Sequence, residues 1–373
     1  MKIFKICFIT LFILLMYGFF LGYILKEDST FSYTENRNLT IFPEVSLNKI
    51  LEGSFMSEFE KYVTDQVMGR DMFVSVNTQL KLLMGQNEIN NIILGEDGYL
   101  IEKVTNADID MDIIERNTNY IKEFLSNHSN AYVGIIPTAS DILKDKYTEY
   151  PDRLNQKELI DKIYNDSGSK NTIDIYNNLL GYEDVYYKTD HHWTTFGAYL
   201  GYEQICKKLG KDVVPLSEYE EVVVTEEFKG TIHSKINYDY SKDSIIKYEP
   251  LFNVHYERIL NMDNRVVFDS LYDESKLLTK EMYAYFLGGN NGTTYIHSDY
   301  EGAKGKLLVI KDSYSHCLTP FLANNYEEIL LVDFRYFNAG LSYLLEMEDY
   351  DDILILYNLN NFATESKFSL LNK

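Results

Sequence analysis

The chain of 373 residues has a formal net charge of −22 at pH 7, with 32 tyrosines and only three cysteines. Such an acidic chain argues against nucleic acid as a partner and against adhesion to anionic lipid. The cysteine count does not suggest a disulfide scaffold, and Cys206 and Cys317 are predicted to be free thiols.

The first 28 residues have the pattern of a single membrane span. Lys2 and Lys5 precede a charge-free, mainly apolar run over residues 6–25, which Lys26 closes. About 20 apolar residues cross the hydrocarbon core of a bilayer, and a small-residue cleavage site is not evident. We predict an uncleaved signal anchor in the cell membrane, with both lysines inside and all later residues outside. A cleaved signal is the alternative, and it would leave the same domain outside.

Residues 29–89 are predicted to form a juxtamembrane arm followed by a helix, because side chains recur at helical spacing between Phe59 and Gln66. Residues 90–373 form one predicted domain with alternating strand and helix signals. The predicted apolar strands lie at 132–136, 306–310, 329–332 and 353–357, and residues 186–189 are predicted to be extended. The predicted helices lie at 111–126, 156–163, 195–209, 314–324 and 341–347. This alternation predicts an α/β fold with a parallel sheet flanked by helices.

Residues 212–300 interrupt this alternation of strand and helix signals. Short strand-like pieces, such as 221–224 and 264–268, alternate there with acidic, tyrosine-rich loops. We predict a β-rich insertion or flank of the main domain and not an independent domain.

The segment Asp190-His191-His192-Trp193 carries the first part of a predicted catalytic site. In an extended segment, side chains two residues apart share a face, so Asp190 and His192 point the same way and His191 points away. A carboxylate can orient an imidazole that takes a proton from a serine. The spacing favours His192 as the base, Asp190 as its orienting acid and His191 in a supporting position. The histidines could instead bind a metal, but no second ligand cluster at suitable spacing appears, and we predict neither metal nor cofactor.

Ser313 is the predicted nucleophile. It closely follows a strand and opens a helix, and functional residues of parallel sheets gather at the carboxyl ends of strands. Amides at a helix N-terminus can also stabilise an oxyanion. Asp312 would help to orient this loop. The alternative is that Asp312 or Ser313 only caps the helix.

Further residues are candidates for contact with the substrate or the oxyanion. Trp193 would wall the site or stack on a sugar ring, or else fill the hinge between strand and helix. Tyr314 stands directly beside the serine. Arg335 would hold a carboxylate or an acyl oxygen, or only pair with Asp333. Asn358 would donate its amide to an oxyanion, or serve as a turn residue.

Taken together, these motifs resemble one family. Thr189-Asp190-His191-His192-Trp193-Thr194 is similar to the signature of the DHHW proteins, which resemble alginate O-acetyltransferases of the AlgX and AlgJ type with an SGNH-hydrolase-like domain. Further blocks recur in the family's order over nearly the whole exported part: Glu35-Asn36-Arg37, Phe42-Pro43, Asp65-Gln66, Gly69-Arg70-Asp71, Leu94-Gly95, Asp97-Gly98-Tyr99-Leu100, Lys311-Asp312-Ser313-Tyr314 and Asp333-Phe334-Arg335-Tyr336. The chain departs from the simplest SGNH pattern, because Lys311 stands where glycine is expected and no clear Gly-x-Asn-Asp block exists. The oxyanion donors other than the Ser313 amide therefore stay open.

The resemblance implies a triad of Ser313, His192 and Asp190, with Arg335 near the acyl group and the block 285–290, which ends at Asn290, near the site. It also implies a membrane-anchored O-acetyltransferase that acts outside the cell on a cell-surface polysaccharide or wall polymer. A membrane-bound O-acyltransferase partner would supply the acetyl groups. A carbohydrate esterase of the same fold and a noncatalytic polymer-binding or assembly module are the alternatives.

Overall fold

The structure, a computed structural model, describes residues 2–32, 37–168, 170–236, 238–261 and 266–373. Glu35 and Asn36 of the predicted arm, and Asn264 and Arg265 of a predicted strand, lie outside these residues. Contacts divide the chain into two compact units. The first comprises Met1–Asn90 and Ser234–Asp239, and the second comprises Asn91–His233 and Tyr240–Lys373.

Helices and strands alternate through most of the second unit. The helices of the chain are α1 (Lys2–Leu25), α2 (Leu47–Leu51), α3 (Ser54–Gln66), α4 (Arg70–Leu83), α5 (Met111–Asn127), α6 (Ala139–Ile142), α7 (Gln156–Ser167), α8 (Ile175–Leu179), α9 (Thr195–Leu209), α10 (Thr231–Ile236), α11 (Ser315–Leu322), α12 (Leu341–Met347) and α13 (Leu359–Thr364). The strands are β1 (Phe31–Ser32), β2 (Arg37–Asn38), β3 (Glu88–Ile89), β4 (Ile92–Leu94), β5 (Leu100–Glu102), β6 (Ala131–Ile136), β7 (Thr172–Ile173), β8 (Tyr219–Phe228), β9 (Asp243–Pro250), β10 (Tyr256–Leu260), β11 (Val266–Phe268), β12 (Thr293–Ser298), β13 (Lys306–Lys311), β14 (Glu328–Val332) and β15 (Asp352–Asn358).

The main sheet has eight strands in the order β11-β10-β12-β14-β13-β15-β6-β7. The strands from β14 to β7 in this order run parallel to one another, and β12, β10 and β11 extend the sheet antiparallel. The predicted α/β fold with a parallel sheet is therefore confirmed. The predicted β-rich region contributes this antiparallel extension and the separate β8–β9 ribbon.

Both faces of the sheet are buried. Along β13, Leu307 and Val309 belong to one hydrophobic core, and Leu308 and Ile310 belong to the other, because successive side chains of a strand point to opposite faces. Helices α9 and α11 contribute to the first core, and α5, α7, α12 and α13 to the second. This explains why β13 is a continuous apolar run. The strand ends at Lys311, so the loop with Ser313 leaves the sheet at its carboxyl edge.

Within the described part of the chain, one helical segment in the first unit, Ile3–Tyr23, is long and apolar enough to cross a membrane, with a mean hydropathy of 2.3 and none of it buried. The polypeptide that follows is tied to α3. Gln66 donates from its amide to the carbonyls of Ser29 and Thr40 at 2.9 and 3.0 Å, and Asp65 accepts the Thr40 N–H at 2.9 Å. These two residues of a family block therefore fasten the arm.

Candidate active site

The Asp190–Trp193 motif lies in a tight loop. Tyr186 and Trp193 form an isolated antiparallel bridge, and the backbone bends at each residue from 188 to 192. The predicted extended piece at 186–189 is therefore paired at Tyr186 but bent from Lys188 onward, and side-chain alternation does not bring Asp190 and His192 together. Instead, Asp190 Oδ1 accepts the backbone N–H of His192 at 3.0 Å, which is the local turn that aspartate side chains favour.

A buried carboxylate from a distant strand holds this loop. Asp243, at the start of β9, accepts the N–H groups of Lys188 and Thr189 at 2.7 and 2.8 Å, and the Thr189 hydroxyl at 2.5 Å. These backbone groups would need a neighbouring strand as partner if the segment were extended. Asp243 satisfies them in a bent conformation, and the sequence near the motif gives no sign of this partner.

Three side chains form a continuous hydrogen-bonded line. Asp190 Oδ1 lies 2.5 Å from His192 Nδ1, and His192 Nε2 lies 2.8 Å from Ser313 Oγ. All three residues are buried, with Ser313 7 % exposed. Since a carboxylate only accepts, Nδ1 carries the ring proton and Nε2 is left to accept from the serine hydroxyl. The structure thus brings together the three residues that the sequence analysis selected as a triad.

The second oxygen of Asp190 is held from α10. Asp190 Oδ2 accepts the Thr231 N–H at 2.8 Å and the Thr231 hydroxyl at 3.1 Å. His191 Nδ1 lies 2.7 Å from that hydroxyl oxygen, so His191 donates to Thr231 and acts on Asp190 through it. A Cβ at Gly230 would overlap Asp190, which explains the glycine before Thr231. Burial alone would raise the pKa of Asp190, but the two histidines and these hydrogen bonds hold it well below its ordinary value.

Asp190 and Asp243 are expected to affect stability with opposite pH dependence. The folded pKa of Asp190 is lowered. The ionised carboxylate therefore stabilises the folded protein above the unfolded pKa of 3.8, and this stabilisation is lost as pH falls below that pKa. Burial raises the folded pKa of Asp243, so protonation of this carboxyl adds stability below the unfolded pKa, and this increment is lost as pH rises through the folded pKa.

Denaturant unfolding of the full chain in detergent, between about pH 6 and about pH 3, measures both effects. The difference in the free energy of unfolding between wild type and Asp190→Asn is expected to become smaller as the pH is lowered. The same difference between wild type and Asp243→Asn is expected to become larger. If both differences change in the same direction as the pH is lowered, the assigned pKa directions of these two acids are contradicted.

The Ser313 turn is fixed by the fully buried Asp312. Asp312 Oδ1 accepts the Tyr314 N–H at 2.9 Å. Its Oδ2 accepts the Asn358 N–H and the side-chain amide of Asn361, both at 2.7 Å. The serine loop is therefore fastened to the end of β15 and to α13. Burial raises the pKa of Asp312, and its amide donors oppose that shift.

Two rings contact the imidazole of His192. The Tyr283 ring stacks on it at a centroid distance of 3.8 Å and 11°, and the His191 ring lies at 3.9 Å. The Tyr283 hydroxyl donates to the Ser313 carbonyl at 3.1 Å, so one residue contacts both the base and the nucleophile's backbone. The sequence analysis missed Tyr283, because an isolated tyrosine in a tyrosine-rich chain carries no distinguishing signal.

Two candidates for substrate contact are structural. Trp193 is fully buried, and its indole N–H donates to the Tyr314 carbonyl at 2.8 Å. The prediction that it walls the site or stacks on a sugar is therefore wrong, because no face of the ring reaches solvent. Tyr314 is also buried; its N–H is bound to Asp312 and its hydroxyl donates to the His191 carbonyl. Tyr314 therefore holds the two motifs together and does not offer its amide to an oxyanion.

Asn358 likewise has its side chain committed to the backbone. The residue is 2 % exposed. Its amide nitrogen donates to the carbonyls of Ile136 and Pro137 at 3.1 and 3.2 Å, and its oxygen caps α13 through the Asn360 N–H at 3.0 Å. The prediction that Asn358 donates its amide to an oxyanion is therefore wrong. Its contacts support the alternative prediction, that it is a turn residue.

Arg335 and Asn290 meet beside a buried charged cluster. Arg335 binds Asp333 through two nitrogens, at 2.9 and 2.6 Å, and Asn290 Oδ1 through Nη2 at 3.1 Å. The Arg335 side chain is 33 % exposed. Behind it, the buried Lys311 ammonium lies 3.3 Å from Asp333 and 2.7 Å from His316 Nε2, and burial lowers the pKa of Lys311. The ion pair with Asp333 is thus formed, while part of the Arg335 side chain stays accessible.

The site offers one group of metal-ligating atoms among the described residues. Atoms of Asp190, His191 and His192 lie within 4.8 Å of one another. However, His192 uses both ring nitrogens for Asp190 and Ser313, and His191 Nδ1 is bound to Thr231. A metal held by these atoms would have to break the hydrogen-bonded line, so the arrangement fits proton transfer better than metal coordination.

The sequence matches the family described as DHHW protein over residues 35–131 and 116–332. Among solved structures, a DHHW family protein from Eubacterium siraeum is 22% identical with a TM-score of 0.63, and the match covers 76% of this chain and 96% of that one. Bacillus cereus PatB1, solved with a sulfonyl adduct, is 18% identical with a TM-score of 0.60, covering 74% and 98%. The O-acetyltransferase domain of Pseudomonas putida AlgJ is 12% identical with a TM-score of 0.45, covering 76% and 99%. No protein with a curated description matches the sequence significantly.

Fold and site together define an α/β protein that carries a hydroxyl–imidazole–carboxylate line at the carboxyl edge of a parallel sheet. The family match spans most of the chain, and the first two structures share the fold. The chain belongs to the DHHW proteins, and the resemblance found from its motifs is confirmed.

Proposed function

We propose that this protein is a membrane-anchored, extracytoplasmic O-acetyltransferase acting on a cell-surface polysaccharide or wall polymer. The observation that carries the proposal is the unbroken line from Ser313 Oγ to His192 Nε2 at 2.8 Å and from His192 Nδ1 to Asp190 at 2.5 Å. Separations of this size allow a proton to move from hydroxyl to imidazole as the oxygen attacks. The acetyl group and the polymer are proposed from the motif resemblance, and the anchor from the apolar Ile3–Tyr23 segment.

The proposed reaction has two steps. In the first, His192 Nε2 takes the Ser313 proton while Oγ attacks the carbonyl carbon of an acyl donor, and the imidazolium returns the proton to the departing group. In the second, a sugar hydroxyl gives its proton to His192 and attacks the acetyl-serine, and Ser313 regains its proton as the sugar ester leaves. Asp190 stays ionised, because its pKa lies below its ordinary range, and stabilises the imidazolium.

The oxyanion would be stabilised at the start of α11. The Tyr314 N–H is already bound to Asp312, so the Ser313 amide is the proposed backbone donor. Arg335, hydrogen-bonded to Asp333 and Asn290 but partly exposed, is proposed to bind the acyl or substrate oxygen. The acyl donor would be supplied by a membrane-bound O-acyltransferase partner, as the family resemblance implies.

A pre-steady-state experiment with p-nitrophenyl acetate tests the proposal. Full-length protein in detergent is expected to release a burst of p-nitrophenol and to carry one acetyl group on the peptide with Ser313, because a transferase holds its acyl-enzyme for an acceptor other than water. Steady release without an accumulated acetyl-serine would assign the protein as an esterase. If no acetylated Ser313 is found and the Ser313→Ala variant releases p-nitrophenol at the same rate as wild type, the protein is not an acyltransferase or an esterase, and the noncatalytic polymer-binding module is the function that remains.

A further inference from the structure

Helix α4 in the first unit has an exposed apolar face. The side chains on this face are 44–83 % exposed: Met72 60 %, Phe73 44 %, Val76 44 %, Leu80 53 % and Leu83 83 %. At 3.6 residues per turn, these five positions fall within an arc of about 100°. Contiguous apolar surface of this kind is uncommon on a soluble protein and marks contact with a partner or a membrane.

The opposite side of α4 already serves the fold of the unit. Thr78, on that side, is 1 % exposed and donates from its hydroxyl to the Ile236 carbonyl at 3.0 Å. Val74 and Leu82 flank Thr78 and are partly buried. Among the residues that the structure describes, Val74, Thr78 and Leu82 form a packed side of the helix, and the second apolar side is largely exposed.

Contacts within the unit place the start of α4 beside the outer end of the apolar span. The thioether of Met68 lies over Gly22, where a Cβ would be 2.7 Å from the sulfur. The Tyr62 ring lies 6.3 Å from Tyr23 and 5.3 Å from Phe42, and its hydroxyl donates to Asp28 at 3.0 Å. Tyrosines gather at the level where a span leaves the hydrocarbon core. Because α4 begins two residues after Met68, it begins at this level.

We infer that α4 lies in the outer interface of the bilayer, with Met72, Val76 and Leu80 directed into the lipid. Its charged residues are two basic and one acidic, Arg70, Lys81 and Asp71, so the helix has a net charge of +1 in a chain of net charge −22 and is not itself repelled by headgroups. Helices with an apolar face and low overall hydrophobicity bind membranes in this orientation. The exposed Ile41 and Phe42, 59 % and 52 % accessible, would add to the same surface. The second attachment would restrict how the anchored chain tilts on its span.

Fluorescence of the full chain in phosphatidylcholine nanodiscs tests this inference. Cys7 is the exposed cysteine, whereas Cys206 and Cys317 are buried, so a Cys7→Ser background accepts a single label at Leu80→Cys. A nitrobenzoxadiazole label there is expected to emit at shorter wavelength than in water, and lipids with a spin label near the headgroup are expected to quench it more than lipids labelled at the chain end. The matched control is Asp71→Cys, whose side chain is 52 % exposed and points about 180° away on the same helix; its emission is expected to stay water-like.

The outcomes separate lipid from protein partners and from failure of the anchor. Co-elution of the chain with the nanodiscs tests the span alone. Water-like emission at Leu80→Cys in co-eluting samples would overturn the interfacial position. Blue-shifted emission without quenching by spin-labelled lipid would also overturn it, and would assign the face to a second copy of the chain or to another protein.

Discussion

Replacement of Ser313 or His192 by alanine is expected to lower the turnover of p-nitrophenyl acetate, measured as the rate of the p-nitrophenol burst, by about 10³-fold or more. Ser313→Ala removes the attacking oxygen. His192→Ala removes the acceptor that lies 2.8 Å from that oxygen, and the serine hydroxyl then keeps its proton. Because the two residues act on one proton, the double variant is expected to be about as active as either single variant.

His191→Ala is the matched control for His192→Ala. The two imidazoles are adjacent, but His191 Nδ1 contacts Thr231 and its side chain is 38% exposed. Its removal is expected to cost roughly tenfold or less, because Asp190 still accepts the Thr231 N–H and both hydrogen bonds from His192 when His191 is absent. A larger loss for His191→Ala than for His192→Ala would show that the wrong histidine has been assigned as the base.

Much of the fold was predictable because its signals are local. The apolar run that forms β13 and the periodic patterns of α9 and α12 depend on side-chain spacing, and burial on both faces leaves an apolar strand few alternatives. The serine and the base could also be selected from the sequence. The chemistry needs their residue types, and each stands next to a predicted element, although 121 residues separate them.

Hydrogen-bond partners were less predictable, because distant parts of the chain supply them. The loop with Asp190 bends because Asp243, more than 50 residues away, accepts its amides. Trp193 and Asn358 have side chains that suit a substrate site and a buried structural position equally well. Only the packing around them distinguishes the two, and for both residues it is the structural position that is occupied.

Asp190→Asn is expected to lower turnover by about 10³-fold while the fold persists. The carboxylate accepts four hydrogen bonds, from the N–H and Nδ1–H of His192 and from the N–H and hydroxyl of Thr231. An asparagine can accept on one side only. If its amino group faces His192, it donates to Nδ1, the ring proton moves to Nε2, and the base can no longer accept from Ser313. If it faces Thr231, it opposes a backbone N–H and loosens the loop.

The Asp243→Asn variant serves as the control for Asp190→Asn, because it weakens the anchoring of the same loop without removing the carboxylate that contacts His192. Asp243 holds the same loop through Lys188 and Thr189 but does not contact His192 or Ser313. Measured turnover and denaturation midpoints should therefore diverge: both variants lose stability, but Asp190→Asn loses far more activity for the same drop in midpoint. If activity follows the midpoint alone in both variants, then Asp190 only anchors the loop, and the imidazolium formed during acyl transfer must be stabilised by another group.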